Sequence, residues 1–215
     1  FYTTLAAFIC SYLVFKQPDL GTSIIVLTSG LIPIYLAGLP YKIILSYLVA
    51  VGILSPYVWS NLLDYQKQRV LTYFDSNVDP LGDGWNIAQS QTAIGSGGVF
   101  GKGFGEGTQG QLNFLPAHHT DFIFSAFGEE FGFIGVLLLI SLYVLATFRG
   151  MSISIKATDN FSRILSGTLI LTIFLYVLVN IGMVIGILPI VGAPLPFMSY
   201  GGTSMLTVFA ALGII

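Results

Sequence analysis

Charge is what this sequence has least of. Asp, Glu, Lys and Arg make up 8% of its 215 residues, whereas 54% are hydrophobic and the mean hydropathy is +0.85. An ordinary globular chain carries roughly 25% charge, so most of this surface is solvated by lipid or enclosed in a much larger protein. The length of the uncharged stretches favours lipid. The basic residues are few and scattered, which excludes nucleic-acid binding. Cys10 is alone, so a disulfide framework and a Cys-based metal site are excluded. His118 and His119 are adjacent and have no third ligand that the sequence can name. No initiator Met is present, and neither the basic start nor the small-residue cleavage site of a signal peptide is seen. The chain begins and ends inside apolar runs and reads as a fragment of a longer polytopic protein.

What is present is apolar and long. Residues 1–15, 20–41, 43–63, 131–148 and 164–215 contain no charge. A span needs about 20 mainly apolar residues, so the last run holds two. Turns at KQPDLG (16–21) and AGLPYK (37–42) divide the first half. The reading is a single all-α membrane domain, a polytopic helix bundle. Its spans are expected at 1–15, 22–39, 43–61, 122–148, 164–188 and 203–215, with a connection at 149–163. Lys42, Arg149, Lys156 and Arg163 then share one side, which the positive-inside rule makes cytoplasmic. The long polar interruption at 64–121 becomes extracytoplasmic.

That interruption is where chemistry is sought. DYQKQRVLTYFD (64–75) forms a short amphipathic helix, NIAQSQTAI a second short one, and glycines in GDG, GSGG, GKG and GEG permit close approach of chain to chain. GSGGVFGKG lacks the G-x-x-x-x-G-K-[ST] spacing, so it is not an ATP loop. QLNFLPAHHTD ends at Asp121, just before an apolar helix. Asp121 is placed to cap that helix or, partly buried at a membrane edge, to take a proton from a sugar hydroxyl. Arg69, Lys67 and Lys102 are placed to meet a phosphate. Glu129 and Glu130 stand near the start of the following helix, where they need water or a partner.

The motifs QPDLGTS (17–23), YQKQRV (65–70), DPLGDGWNIAQSQTAIGSGGVFGKG (79–103), GTQGQLNFLP (107–116), HTDFIF (119–124) and EEFGFIG (129–135) together resemble the SEDS family of RodA and FtsW. NIGMVIGILPIVGAPLPFMSYGGTS (180–204) is more similar to the RodA branch. The resemblance implies a ten-span inner-membrane peptidoglycan glycosyltransferase that polymerises lipid II during cell elongation and cell-shape maintenance. It would work beside a class B penicillin-binding protein as transpeptidase and other membrane proteins of the elongation complex. It places the family's catalytic aspartate at Asp121, with Ala117 where members usually have Glu.

Arg69, Lys102, His119, Thr120 and Gln109 are the candidate substrate contacts. Gly97, Gly98, Gly101, Pro116, Pro196, Gly201 and Gly202 shape the loops around them. The implied reaction is attack by the lipid II 4-hydroxyl on an undecaprenyl-pyrophosphate-linked glycan, with inversion. No cofactor is named, although a divalent cation is an alternative to Lys102 or Arg69 as counter-charge. Two other readings stand beside this one, a flippase for the lipid-linked precursor and a non-enzymatic scaffold. The PLPFMSYGG segment (194–202) is expected to pack near the catalytic loop, because its polar backbone cannot face lipid.

Overall fold

The computed structural model describes residues 2–17, 19–74, 82–108 and 119–215. The elements are helical: α1 (Tyr2–Lys16), α2 (Leu20–Leu36), α3 (Tyr41–Asn61), α4 (Asp64–Phe74), α5 (Asp83–Ser96), α6 (Ile123–Lys156), α7 (Asn160–Val184) and α8 (Gly202–Ile214). Two of these among the described residues, α6 and α7, are long and apolar enough to cross a membrane. Outward-facing Phe133, Leu137, Leu138, Leu142 and Leu145 on α6 are exposed, as a lipid-facing helix requires.

Local chemistry sets the boundaries. Asp19 caps α2 by accepting from Thr22 N at 3.0 Å, and Asp159 caps α7 by accepting from Ser162 N at 2.8 Å. The 149–163 connection expected from its charges is shorter than that, because α6 continues to Lys156 before α7 begins at Asn160. MSISIK contains neither Gly nor Pro, so nothing in it stops a helix whose Arg149 and Lys156 reach solvent. α1 and α2 pair through small residues: the Ser11 and Ser23 hydroxyls lie 2.9 Å apart, and a side chain on Gly30 would strike Ala7. α7 then contacts α2, α5, α6 and α8.

The short helices of the polar region brace the end of α7. Ser90 Oγ donates to Val184 O at 2.9 Å, Gln91 Nε2 to Ile185 O at 3.1 Å and Tyr73 OH to Ile187 O at 2.8 Å. The Val184 and Ile185 carbonyls are ones that the end of α7 leaves without intrahelical partners, and Ile187 lies in the turn just beyond. A core of Phe122, Phe124, Tyr143, Val177, Met183, Val184 and Leu195 sits where α6, α7 and the 192–200 segment meet.

α6 is broken at Gly132 (φ 65°, ψ −167°), and the glycine-rich loop docks on the break. Lys102 N and Gly103 N donate to Glu129 O and Glu130 O at 3.0 and 3.1 Å. Phe133 N and Ile134 N donate to Gly98 O and Val99 O at 2.9 and 3.2 Å. The loop thus replaces the helical hydrogen bonds that the break removes. A β carbon on Gly132 would collide with the 99–101 backbone, and one on Gly101 with Glu130 O, so only glycine permits this crossing.

Candidate functional site

Asp121 lies in the turn that enters α6. The helix starts at Ile123, and its cap residue is Phe122, which makes no side-chain capping bond. The capping role considered for Asp121 is therefore corrected. Buried Phe122 and Phe124 draw the start of the helix into the core, and the Phe122 carbonyl rather than the Asp121 carboxylate takes Ser125 N at 3.0 Å. The half-buried Asp121 carboxylate accepts no hydrogen bond among the described residues. Burial pushes its pKa above the ordinary 3.8.

The backbone that carries Asp121 is held from below and from the side. Asn180, fully buried in α7, donates from Nδ2 to Asp121 O at 2.8 Å and to Ala193 O at 2.7 Å. Ser199 Oγ donates to Thr120 O at 2.6 Å and accepts from Leu195 N at 2.7 Å, while Tyr200 N donates to His119 O at 2.9 Å. Tyr143 OH fixes Pro196 O at 2.5 Å. The expected approach of PLPFMSYGG to the 64–121 loop is thereby observed at residues 119–121. Within this 192–200 segment, a strap over the Asp121 turn, Phe197 has φ 67°, a left-handed conformation costly for a bulky residue. A β carbon on Gly192 (φ 75°) would lie 3.5 Å from Asp121 Oδ2. Gly192 also borders a cavity of about 510 Å³ between α2, α7, α8 and the strap, where Thr22, Tyr176 and Ser199 add polar groups to apolar walls.

Of the other expected site residues, Thr120 and exposed His119 adjoin Asp121 and are tied to the strap through their carbonyls. Lys102 is engaged elsewhere. Its Nζ lies 2.6 Å from Glu129 Oε1, and that oxygen also accepts Thr108 N and Thr108 Oγ1, each at 2.9 Å. Glu129 is wholly buried, so this cluster is the partner its position demanded. Arg69 is exposed on α4. Gly97 and Gly101 touch α6, Gly98 (φ 57°) turns the loop between them, Pro196 belongs to the strap, and Gly201 and Gly202 lead into α8. Gln109, Pro116, Ala117 and His118 lie outside the described residues. Among the described residues no group of three His, Cys, Asp or Glu side chains gathers to hold a metal ion.

Asn180, Ser199, Tyr143 and Thr108 were not singled out from the sequence. A lone Asn inside an apolar helix is itself a signal, because an amide there needs partners; the others carry none. Replacing Asn180 by Leu removes both carbonyl bonds, each worth about 1–3 kcal/mol if its partner stays buried. The expected result is a lower unfolding temperature and reduced activity in Asn180→Leu, with Asn180→Gln intermediate, as thermal unfolding and turnover of the same samples would report.

Comparison with known proteins agrees with this geometry. A family model described as cell cycle protein, covering FtsW, RodA and SpoVE, matches residues 1–215. Peptidoglycan glycosyltransferase MrdB of Escherichia coli K12 is 50% identical over 209 residues, 97% of this chain and 56% of that protein. The probable peptidoglycan glycosyltransferase FtsW of Geobacter metallireducens is 36% identical over 216 residues, again 56% of its length. This chain thus spans little more than half of either relative. Among solved structures, a chain of a peptidoglycan synthase complex that coordinates polymerization and crosslinking superposes with TM-score 0.82 at 33% identity, over 99% of this chain and 59% of that one. A mutant of the rod shape determining protein RodA of Thermus thermophilus gives 0.63 at 26% identity, over 99% and 54%. Matched along its whole length by the family model and by half-identical relatives, the chain belongs to the SEDS family of RodA and FtsW, membrane proteins of cell-wall synthesis.

Proposed function

We propose that this chain carries the catalytic half of a peptidoglycan glycosyltransferase that polymerises lipid II, with Asp121 as general base. One observation carries the reading: a desolvated carboxylate without a hydrogen-bond partner among the described residues, on a backbone fixed by Asn180 and Ser199. A base needs a pKa raised toward the operating pH and a free lone pair directed at the incoming hydroxyl. Asp121 takes the proton from the acceptor sugar's 4-hydroxyl as that oxygen displaces undecaprenyl pyrophosphate from the donor's anomeric carbon, inverting it. Arg69, Lys102, His119, Thr120 and Gln109 are the proposed substrate contacts. Lys102 reaches the leaving pyrophosphate only by exchanging its Glu129 contact, and exposed Arg69 is the second counter-charge. A divalent cation is the remaining candidate for that role.

Both lipid tails stay in the bilayer while their heads meet above it, so residues 64–121 are assigned to the outer face of the plasma membrane and 157–159 to the cytoplasm. The likeness to a synthase complex supports a class B penicillin-binding protein as the transpeptidase partner. In a Cys10→Ser background, an impermeant thiol reagent on intact cells is expected to label Glu106→Cys and spare Thr158→Cys. Reversed labelling would remove the access to lipid II on which the reading depends.

Strand synthesis separates polymerase from flippase and scaffold. Full-length protein with its transpeptidase partner, supplied with purified lipid II in detergent, is expected to make glycan strands. Detergent abolishes the two membrane sides, so a flippase has nothing to do there. Absence of strands with folded, partner-bound protein would overturn the polymerase reading.

A further inference from the structure

α6 rises about 50 Å over its 34 residues, and its end remote from Asp121 carries a cavity that the polymerisation chemistry does not use. Arg149, Ser152 and Lys156 recur at helical spacing on one face of α6. With Thr158 and Ser162 they line a cavity of about 450 Å³ between α6 and the first turn of α7, walled also by Ile214 and Ile215 at the end of α8. Arg149 and Lys156 have no ion pair or hydrogen bond among the described residues, and the hydroxyls of Ser152 and Thr158 donate to nothing among them, whereas that of Ser162 is engaged by the Asp159 carboxylate. The nearby carboxylate, Asp159, is occupied in capping α7, and Arg163 is held by Asn160 Oδ1 at 2.6 Å. Arg149, Lys156 and Arg163 outweigh Asp159, so the cavity favours an anion that accepts several hydrogen bonds.

The cavity adjoins an apolar one. A groove of about 290 Å³ is lined by Pro33 of α2 and by Phe161, Ile164, Leu165 and Thr168 of α7, and Leu165 is a wall of both spaces. The Thr168 hydroxyl is satisfied by Ile164 O at 2.7 Å, leaving the groove apolar, and Phe161 is 74% exposed beside it. A cationic, hydroxyl-lined cavity opening beside a hydrocarbon groove at the end of two apolar helices matches a ligand with a phosphate at one end and an alkyl chain at the other. We propose that an anionic phospholipid binds here, its phosphate between Arg149 and Lys156 and one acyl chain along Phe161, Leu165 and Thr168. A soluble phosphate fills only the first half of the site. A zwitterionic headgroup sets its own cation against two others.

The test is native mass spectrometry of delipidated full-length protein titrated with phosphatidylglycerol, with phosphatidylcholine of the same chains, and with glycerol 3-phosphate. Phosphatidylglycerol is expected to bind in preference to both. A basic side chain at a membrane surface contributes about fivefold to anionic-lipid affinity, so the Arg149→Gln/Lys156→Gln pair is expected to weaken binding roughly 25-fold. Lys42→Gln, which removes a charge elsewhere, leaves it unchanged. Phe161→Ser alters an exposed position, so it leaves the fold intact and is expected to weaken the phospholipid while sparing glycerol 3-phosphate. Equal binding by wild type and the double variant, or equal binding of phosphatidylcholine, overturns the proposal. Glycerol 3-phosphate binding as tightly as the lipid overturns it in favour of a free-anion site. Strand synthesis by the Asp121 site is read separately, so failure here leaves that reading untouched.

Discussion

Asp121→Asn is expected to lower lipid II polymerisation roughly 10²–10⁴-fold, the usual cost of losing a general base. The fold should survive the change. Asp121 makes no capping bond, its carboxylate accepts nothing from the described residues, and the bonds that hold this turn reach the 119–121 backbone rather than its side chain. Burial raises the pKa of Asp121, so ionising it is harder in the folded protein than in the unfolded chain. The ionised group therefore costs stability at neutral pH, and the cost is relieved as pH falls through the folded-state pKa. Asn carries no such charge, and Asp121→Asn is expected to unfold at the same temperature as wild type or slightly above it at pH 7. Thermal unfolding and polymerisation on one preparation check both halves. A variant equally impaired in folding and turnover would return Asp121 to a structural role.

The second large effect is on stability. Lys102→Met removes the cation 2.6 Å from the buried Glu129 carboxylate, whose Oε1 keeps its two bonds from Thr108. Breaking a buried pair from one side costs about 3–5 kcal/mol. Glu129→Gln should cost less, because Lys102 is 29% exposed and can turn to water. Replacing both, as Lys102→Met/Glu129→Leu, should recover more than half of the Lys102→Met loss, since a buried pair exchanged for apolar groups is often neutral. The same double variant separates two roles for Lys102. If the lysine only pins the glycine-rich loop to the break in α6, activity returns with stability. If it also neutralises the leaving pyrophosphate, stability returns and activity does not. Equal destabilisation by Lys102→Met and the double variant would contradict the clamp.

The helices were legible because their signal is composition over long windows. Apolar stretches pointed to helices at α1, α2, α3, α6, α7 and α8, but Arg149 was read as an end where α6 continues to Lys156. Charge locates a membrane edge, whereas a helix stops only where its backbone is given another partner, here before the Asp159 cap. The site was legible in part. HTDF pointed to Asp121 and the paired prolines and glycines of PLPFMSYGG to a packed strap. What holds them together depends on single polar atoms brought across the fold, Asn180 to Asp121 and Ala193, and Ser199 to Thr120. Spacing along the chain carries no trace of such pairings. Glu129 was recognised as a carboxylate needing a partner, but its partner could not be identified before the glycine loop was seen to dock on Gly132.

The central claim is that Asp121 removes the proton in the chemical step, and the pH dependence of polymerisation tests it most directly. Initial rates of strand synthesis from purified lipid II should be followed from mildly acidic to neutral pH, using full-length, partner-bound wild type and Asp121→Asn at matched folded concentration. A base must be deprotonated to act, and burial raises this carboxyl. The wild-type rate should therefore fall on acidification through a pKa above the ordinary carboxylate value, and that acid limb should vanish from the residual rate of Asp121→Asn. An Asn variant that polymerises at near wild-type rate, or that keeps the same acid limb, would contradict the account.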